Sequence, residues 1–371
     1  MKPILIVIGT RPEAIKMLPV VRALRAHPGV KPLVVVTGQH RQMLDLVCEA
    51  FGERPDIDLD LMTPGQTLTE ITTRVLERMG ALYAELEPAL VLVHGDTTTA
   101  MAAALAAFYA RVAVGHVEAG LRSHDLEQPW PEEYNRLSID AVAKLLFAPT
   151  AMAAENLRRE SPSTRQIEIT GNTGIDALLY IAARIGDGSL RPEGVSVPQG
   201  RRLILVTGHR RESFGGGFDR ICDAIARIAE RDDVTLVYPV HLNPNVKEVV
   251  TRRLYGLGNV QLIPPVGYVE MVALMKAAAL ILTDSGGIQE EAPALGKPVL
   301  VMREVTERPE AVEAGVASLV GTDADLIVSE VSRLLDDQAY YATRARPIFP
   351  YGDGKAAERI AASVENFVRP A

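Results

Sequence analysis

Short runs that are apolar on both faces, separated by stretches of helical spacing, recur through this chain from its first residues. "PILIVIG", "PLVVVTG", "ALVLVHG", "VAVGHVE", "LLFAPT" and "IEITGN" follow one another, each bounded by turn residues. Helical spacing fills the gaps, for instance over residues 67–86, 97–110 and 132–144. A strand apolar on both faces must be covered on both faces, and a parallel sheet layered with helices does this. The pattern breaks at 186–202, "GDGSLRPEGVSVPQGRR", which reads as a linker. It then restarts with "LILVTGH", "VTLVYPVH", "VQLIPP", "LILTDSGG", "PVLVMRE" and "ASLVGT". The expectation is an α/β chain of two doubly wound, Rossmann-like domains, 1–185 and 186–354, facing a cleft. An amphipathic helix over 355–371 would pack back on the first domain. A length of 371 residues suits two cores of ordinary size.

Composition excludes several classes. Hydrophobic residues make up 47% and charged residues 23%, a globular balance. The net charge of −8 argues against a general nucleic-acid binder. The longest apolar runs stop well short of the roughly 20 residues of a membrane span. The N-terminal run lacks a small-residue cleavage site and reads as a first strand rather than a signal peptide. Only two cysteines occur, Cys48 and Cys222, both in helical stretches. That favours a reducing compartment, the cytoplasm, without a disulfide frame.

The polar residues are informative by position. His94, His116, His209 and His241 stand at or just past the ends of apolar strands, as do Arg11, Asp96, Glu118, Arg210, Arg211, Asp284 and Ser285. In open parallel sheets that edge binds ligands. The segment "HVEAGLRSHDLEQPWPEEYNRLSID" adds more ionisable groups around Trp130, the only tryptophan, set between Pro129 and Pro131. Stiffening prolines with the tryptophan as a buried anchor would make this segment a site wall, with Glu132 opening a helix that carries Arg136 one turn later. "VIGTRPEAIKM" has the strand–turn–helix form of a phosphate loop, with Arg11 and Lys16 as its cations, but matches neither the ATP nor the NAD motif. In "ILTDSGGIQEEAP" a strand ends at Asp284, and Ser285-Gly286-Gly287 opens a helix whose free N–H groups suit a phosphate. Glu290 and Glu291, expected in its first turn, could cap the helix or take the two hydroxyls of a ribose. His94, Asp96, His116 and Glu118 form two H-x-D/E pairs, yet no HExxH, CxxC or HxH pattern supports a metal, and no G-x-S-x-G elbow supports a serine nucleophile.

"GTRPEAIKM", "TGQHRQML", "HGDTTT", "GHVEAGLR", "PWPEEYNR", "TGHRRE", "YPVHLNP", "TDSGGIQEEAP", "GKPVL", "ERPE" and "FPYGDG" run in order over nearly the whole chain. Together they resemble the non-hydrolysing UDP-N-acetylglucosamine 2-epimerases. The resemblance implies a glycosyltransferase-B-like fold, no cofactor, and interconversion of UDP-GlcNAc and UDP-ManNAc for cell-surface polysaccharide. It implies Asp96, Glu118, Glu132 and His209 as catalytic residues and Arg11, Lys16 and Arg136 as substrate contacts. Ser285, Gly286, Gly287, Glu291 and Arg308 match its nucleotide site. Met271 stands where some members hold an aromatic residue near the uracil; a thioether can also cover that ring face. A homodimer is implied, as is a second UDP-GlcNAc acting as activator at Gln39, His40, Gln42, Gln66, Arg210 and His241. Gly65 replaces a basic residue that some relatives place near that activator.

The chemistry needs such an outfit independently. In α-linked UDP-GlcNAc the C1–O and C2–H bonds are antiperiplanar, which opens elimination of UDP to a 2-acetamidoglucal. The C2 proton has no adjacent carbonyl, so departure of UDP runs ahead and a carboxylate must meet the positive charge on the ring. Cations and N–H groups must hold the diphosphate, and proton return to the opposite face of C2 gives the other epimer. The alternatives are a 2-epimerase of a modified UDP-N-acetylated sugar, a UDP-sugar glycosyltransferase with an acceptor groove, and a nucleotide-sugar sensor without chemistry.

Overall fold

The apolar runs become parallel strands because both of their faces are buried: all five residues of "ILIVI" and all five of "LVLVH" are buried. In the computed structural model the described residues are 2–38, 41–63, 65–160, 165–194, 200–210 and 214–369, with backbone alone for 41–43. Gln39, His40 and Arg211 lie outside them, and the side chain of Gln42 is likewise outside. The chain divides into two compact units, Met1–Tyr180 with Tyr351–Ala371, and Ile181–Pro350.

The first unit runs β1 (Ile4–Ile8), α1 (Arg11–Arg25), β2 (Pro32–Val36), α2 (Arg41–Phe51), β3 (Ile57–Asp58), α3 (Leu68–Leu86), β4 (Leu90–His94), α4 (Thr98–Tyr109), β5 (Ala113–Val117), α5 (Glu132–Val142), β6 (Leu145–Ala148), α6 (Ala151–Glu160), β7 (Gln166–Ile169) and α7 (Thr173–Gly186), which passes into the second unit after Tyr180. The second runs β8 (Arg202–Thr207), α8 (Gly216–Ile228), β9 (Val234–Pro239), α9 (Pro244–Leu254), β10 (Val260–Ile263), α10 (Tyr268–Ala277), β11 (Ala278–Thr283), α11 (Gly286–Glu291), β12 (Val299–Val301), α12 (Pro309–Glu313), β13 (Ala317–Leu319), α13 (Ala324–Asp336) and α14 (Gln338–Arg344). The last helix, α15 (Ala356–Val368), returns to the first unit and packs against α1. Asp176 caps it, accepting from Ala357 N at 2.8 Å and Ala356 N at 3.3 Å.

Every strand pairing among the described residues is parallel. The sheets have the orders β3-β2-β1-β4-β5-β6-β7 and β10-β9-β8-β11-β12-β13. Strand order therefore reverses between β1 and β4 in the first unit and between β8 and β11 in the second. Those are the two switch points, where loops part and leave a crevice at the carboxyl edge. Local chemistry fixes the entries to the helices. Thr10 and Glu13 form a capping box on α1, and Thr67 and Glu70 form another on α3; a cap of this kind contributes about 1 kcal/mol. The alanines of α4, with Ala102, Ala103, Ala104, Ala106 and Ala107 buried, let that helix lie close on the sheet. Among the described residues no helix is long and apolar enough to cross a membrane.

Candidate active site

At the first switch point a single buried carboxylate ties two turns together. Glu13 accepts from Gly9 N at 3.0 Å and Thr10 N at 2.6 Å through Oε2. Its Oε1 accepts from the Thr97 hydroxyl at 2.8 Å. Thr97 in turn caps α4, accepting from Ala100 N at 3.0 Å. The ends of β1 and β4 are thereby held side by side, with Arg11 opening α1 and Asp96 preceding α4. Burial pushes the Glu13 carboxyl above its usual value, and the hydrogen bonds from Thr10 and Thr97 work against that push.

The expected carboxylates gather here. Asp96 Oδ2 lies 2.6 Å from Arg136 of α5, and the Asp96 carbonyl accepts from Asn135 Nδ2 at 2.8 Å. Arg136 packs back on the start of its own helix, 3.4 Å from the Glu132 carbonyl and 3.5 Å from Glu133 Oε2. Glu118, just past β5, is held at φ 68°, a left-handed conformation that costs a non-glycine residue on the order of 1–2 kcal/mol. Its Oε2 pairs with Lys16 and sits 3.6 Å from His94 Nε2, which is too long for a hydrogen bond. His94 is 4% exposed, and neither ring nitrogen has a hydrogen-bond partner among the described residues. The two carboxyls are pushed apart. Burial raises the Asp96 carboxyl, Arg136 opposes, and the charges of Glu118 and Glu132 add to the rise. Burial also works to raise Glu118, but Lys16 and His94 outweigh it and hold the group well below the usual carboxylate range.

The second switch point is built differently. Asp284, after β11, is 1% exposed, and its Oδ2 accepts from His209 N at 2.7 Å and Arg210 N at 2.8 Å. Its other oxygen lies 3.5 Å from His209 Nδ1. The His209 ring stacks on His241 with centroids 5.1 Å apart. Burial lowers the His209 imidazole below its usual value; Asp284 opposes this, while His241 and Arg210 add to it. Ser285 is the N-cap residue of α11, and Gly286 begins the helix. A Cβ on Gly286 would lie 3.0 Å from Arg308 Cζ, whereas one on Gly287 would meet nothing within 4 Å. Arg308 Nε donates to Glu290 at 2.9 Å. Tyr268, at the start of α10, donates to Glu291 at 3.1 Å, and Met271 stands one turn further along, half-buried.

Several expectations change. Trp130 is 64% exposed and is not a buried anchor; the segment is held instead by buried Glu133, which accepts from Ser123 N and His124 N at 3.0 Å each. Glu290 and Glu291 close the six-residue α11 and do not stand in its first turn. The Arg122 side chain, in the same segment, is buried, 2.8 Å from Asp140 and 2.6 Å from Glu160. Of the expected activator residues, Gln66 serves its own loop, accepting from Thr63 N at 2.8 Å and donating to Leu61 O at 3.2 Å. His241 is exposed and accepts from Asn243 N at 3.1 Å. Among the described residues no three His, Cys, Asp or Glu side chains gather as a metal group. Sequence reasoning missed Glu13 and Asn135. The Thr10-x-x-Glu13 spacing of a capping box was the signal for the first; nothing local marks the second.

The sequence profile of the UDP-N-acetylglucosamine 2-epimerase family matches residues 22–365. The chain is 55% identical over 369 residues to the UDP-N-acetylglucosamine 2-epimerase of Escherichia coli K12, covering 98% of each. It is 50% identical to that of Campylobacter jejuni over 97% of this chain and 96% of the relative. Among solved structures it is similar to the UDP-GlcNAc 2-epimerase of Neisseria meningitidis bound to UDP-GlcNAc, with a TM-score of 0.89 and 43% identity over 98% of this chain and 100% of the other. The Methanocaldococcus jannaschii enzyme in complex with UDP-GlcNAc and UDP gives a TM-score of 0.77 and 34% identity over 98% and 99%. A profile over nearly the full length, and relatives more than half identical along it, mean that the chain belongs to the UDP-N-acetylglucosamine 2-epimerase family.

Proposed function

We propose that the protein interconverts UDP-N-acetylglucosamine and UDP-N-acetylmannosamine by eliminating UDP to a 2-acetamidoglucal and adding it back. The observation that carries this reading is the pair Asp96 and Glu118 beside one switch point, each with its own cation and with carboxyls displaced in opposite directions. Two carboxylates so separated divide the work. Glu118, kept ionised, meets the positive charge that develops on the ring as UDP departs. Asp96, whose carboxyl burial raises above its usual value, takes the C2 proton, and Glu132 serves the return of a proton to the opposite face. Arg11, Lys16 and Arg136 bind the substrate. In the second unit the N–H groups at Ser285, Gly286 and Gly287 hold the diphosphate with Arg308. Glu291, steadied by Tyr268, takes the ribose hydroxyls, and Met271 covers the uracil. A neutral His209 offers a hydrogen bond to the departing oxygen. The reading needs no cofactor.

A second UDP-GlcNAc as activator at Gln39, His40, Gln42, Gln66, Arg210 and His241, a homodimer, and residence in the cytoplasm complete the proposal. Buried, unpaired Cys48 and Cys222 support the last. The test is proton NMR of UDP-GlcNAc with the enzyme alone. UDP-ManNAc accumulating to equilibrium is the expected result; free sugar, transfer to an added acceptor, or an unchanged spectrum contradicts it.

A further inference from the structure

Behind the carboxylates lies a buried polar cluster for which the proposed chemistry has no use. His116, on β5, is wholly buried; its Nδ1 lies 2.6 Å from Asp140 Oδ1 and its Nε2 lies 2.7 Å from the Gly95 carbonyl. Both partners offer acceptor oxygens to the ring. Asp140, on α5, also accepts from Gly120 N at 3.2 Å and pairs with Arg122 at 2.8 Å. Burial works to raise its carboxyl, and His116 and Arg122 overcome that and hold it below its usual value. Five residues before Asp140 on the same helix, Asn135 holds the Asp96 carbonyl. Asn156 of α6 donates to the Gly120 carbonyl at 3.0 Å.

The pattern of these bonds is specific. Two successive carbonyls of one turn, Gly95 and Asp96, are each held by a buried side chain. In the other turn both the N–H and the carbonyl of Gly120 are held. Gly120 itself stands at φ 85°, where a Cβ would lie 2.3 Å from the Ala153 carbonyl oxygen, so no side chain fits at this point of the turn. It carries the left-handed Glu118 two residues earlier. A buried charge network is a poor way to gain stability, since apolar replacements of similar volume often do as well or better. What it supplies is geometry.

We propose that His116 and Asp140, with Asn135 beside them, are positioning residues for the epimerisation, a buried brace that fixes the Gly95–Asp96 and Glu118–Gly120 turns against α5. This rests on the reading of Asp96 and Glu118 as the working carboxylates. Both turns answer to one helix, so loosening the helix end of the brace loosens both together.

The test compares Asp140→Asn with Asp176→Ala, which uncaps α15 in the same unit and touches neither turn. Asparagine keeps the shape of Asp140 but removes the charge that pairs with Arg122, and its amide donor must face either His116 Nδ1 or Gly120 N. Amide hydrogen exchange, read in peptides covering the two turns, should quicken by roughly tenfold in both for Asp140→Asn and in neither for Asp176→Ala. In the folded enzyme kcat should fall roughly 10–100-fold with KM within about threefold, the pattern of misplaced groups rather than lost binding. Should Asp140→Asn fail to fold, Asn135→Ala removes only the bond to Asp96, and about a fivefold loss of kcat at unchanged KM is expected. Unchanged exchange in the turns, or a kcat loss no larger than that of Asp176→Ala at equal thermal stability, overturns the brace. A wild-type protein that does not epimerise UDP-GlcNAc refutes the functional reading instead, and the exchange comparison then decides the brace alone.

Discussion

The two switch points share one topology and differ in what they put at the edge. The first is lined by ion pairs made of side chains, Lys16 with Glu118 and Arg136 with Asp96. The second adds backbone to side chains: a buried aspartate accepting from two N–H groups, a glycine turn at a helix start, a histidine stacked on another, and the ion pair of Arg308 with Glu290. Side-chain carboxylates with displaced proton affinities can move protons and meet transient charge. Backbone donors and a helix start hold an anion without titrating. The difference teaches that a duplicated architecture can divide labour between chemistry and binding through the residues at each reversal of strand order.

The sharpest way to break that division is to neutralise the carboxylates. Asp96→Asn, Glu118→Gln and Glu132→Gln should each lower kcat roughly 10²-fold or more, with UDP affinity by calorimetry changed less than about twofold. Near-normal turnover in all three moves the chemistry elsewhere. The second unit is tested by Gly286→Val, whose Cβ would meet the Arg308 guanidinium at 3.0–3.3 Å. Displacing one charged donor from the diphosphate costs about 1.5–3 kcal/mol, so UDP affinity should fall roughly tenfold or more while kcat at saturation changes much less. Unchanged affinity would relocate the diphosphate to Arg11 and Lys16.

Much of this contrast was legible in the sequence because both halves place polar residues where an apolar run stops. "LVLVHGD" and "LILTDSGG" announce a strand end and the polar residues just past it, so Asp96, Glu118, His209 and Ser285 could be named without coordinates. Partnerships could not. That Lys16 would settle on Glu118, or that Asn135 would hold the Asp96 carbonyl 39 residues away, depends on sheet order, which brings β5 beside β4 and α5 beneath both turns. Trp130 misled because its aromatic bulk and flanking prolines suggested burial, whereas buried Glu133, an acidic residue in a polar run, holds the loop. Of the brace residues, His116 is marked in the sequence by its strand end, whereas Asp140 looks ordinary within a helix.

A smaller effect sharpens the role given to Asp96. If it must be ionised to take the C2 proton, kcat falls as pH drops through its pKa, and burial places that limb above the usual aspartate value. Arg136 opposes the rise, so Arg136→Gln should move the limb to higher pH; a shift to lower pH, or none, removes Asp96 from proton transfer. The smallest expected effect concerns the activator. Conversion of UDP-ManNAc alone should begin slowly, a trace of UDP-GlcNAc should abolish the lag, and Gln42→Ala or His241→Ala should blunt that response. Full speed from the first moment, unaffected by added UDP-GlcNAc, removes the second site and leaves the active site standing.

The central claim is that the C2–H bond of the sugar is broken and remade at the carboxylate edge of the first unit. Incubating UDP-GlcNAc with the enzyme in deuterium oxide, without added NAD, and reading C2 of the product by NMR and mass spectrometry tests it directly. The account predicts UDP-ManNAc carrying solvent deuterium at C2, formed without added oxidant. Product that keeps its C2 hydrogen in full would contradict elimination and re-addition.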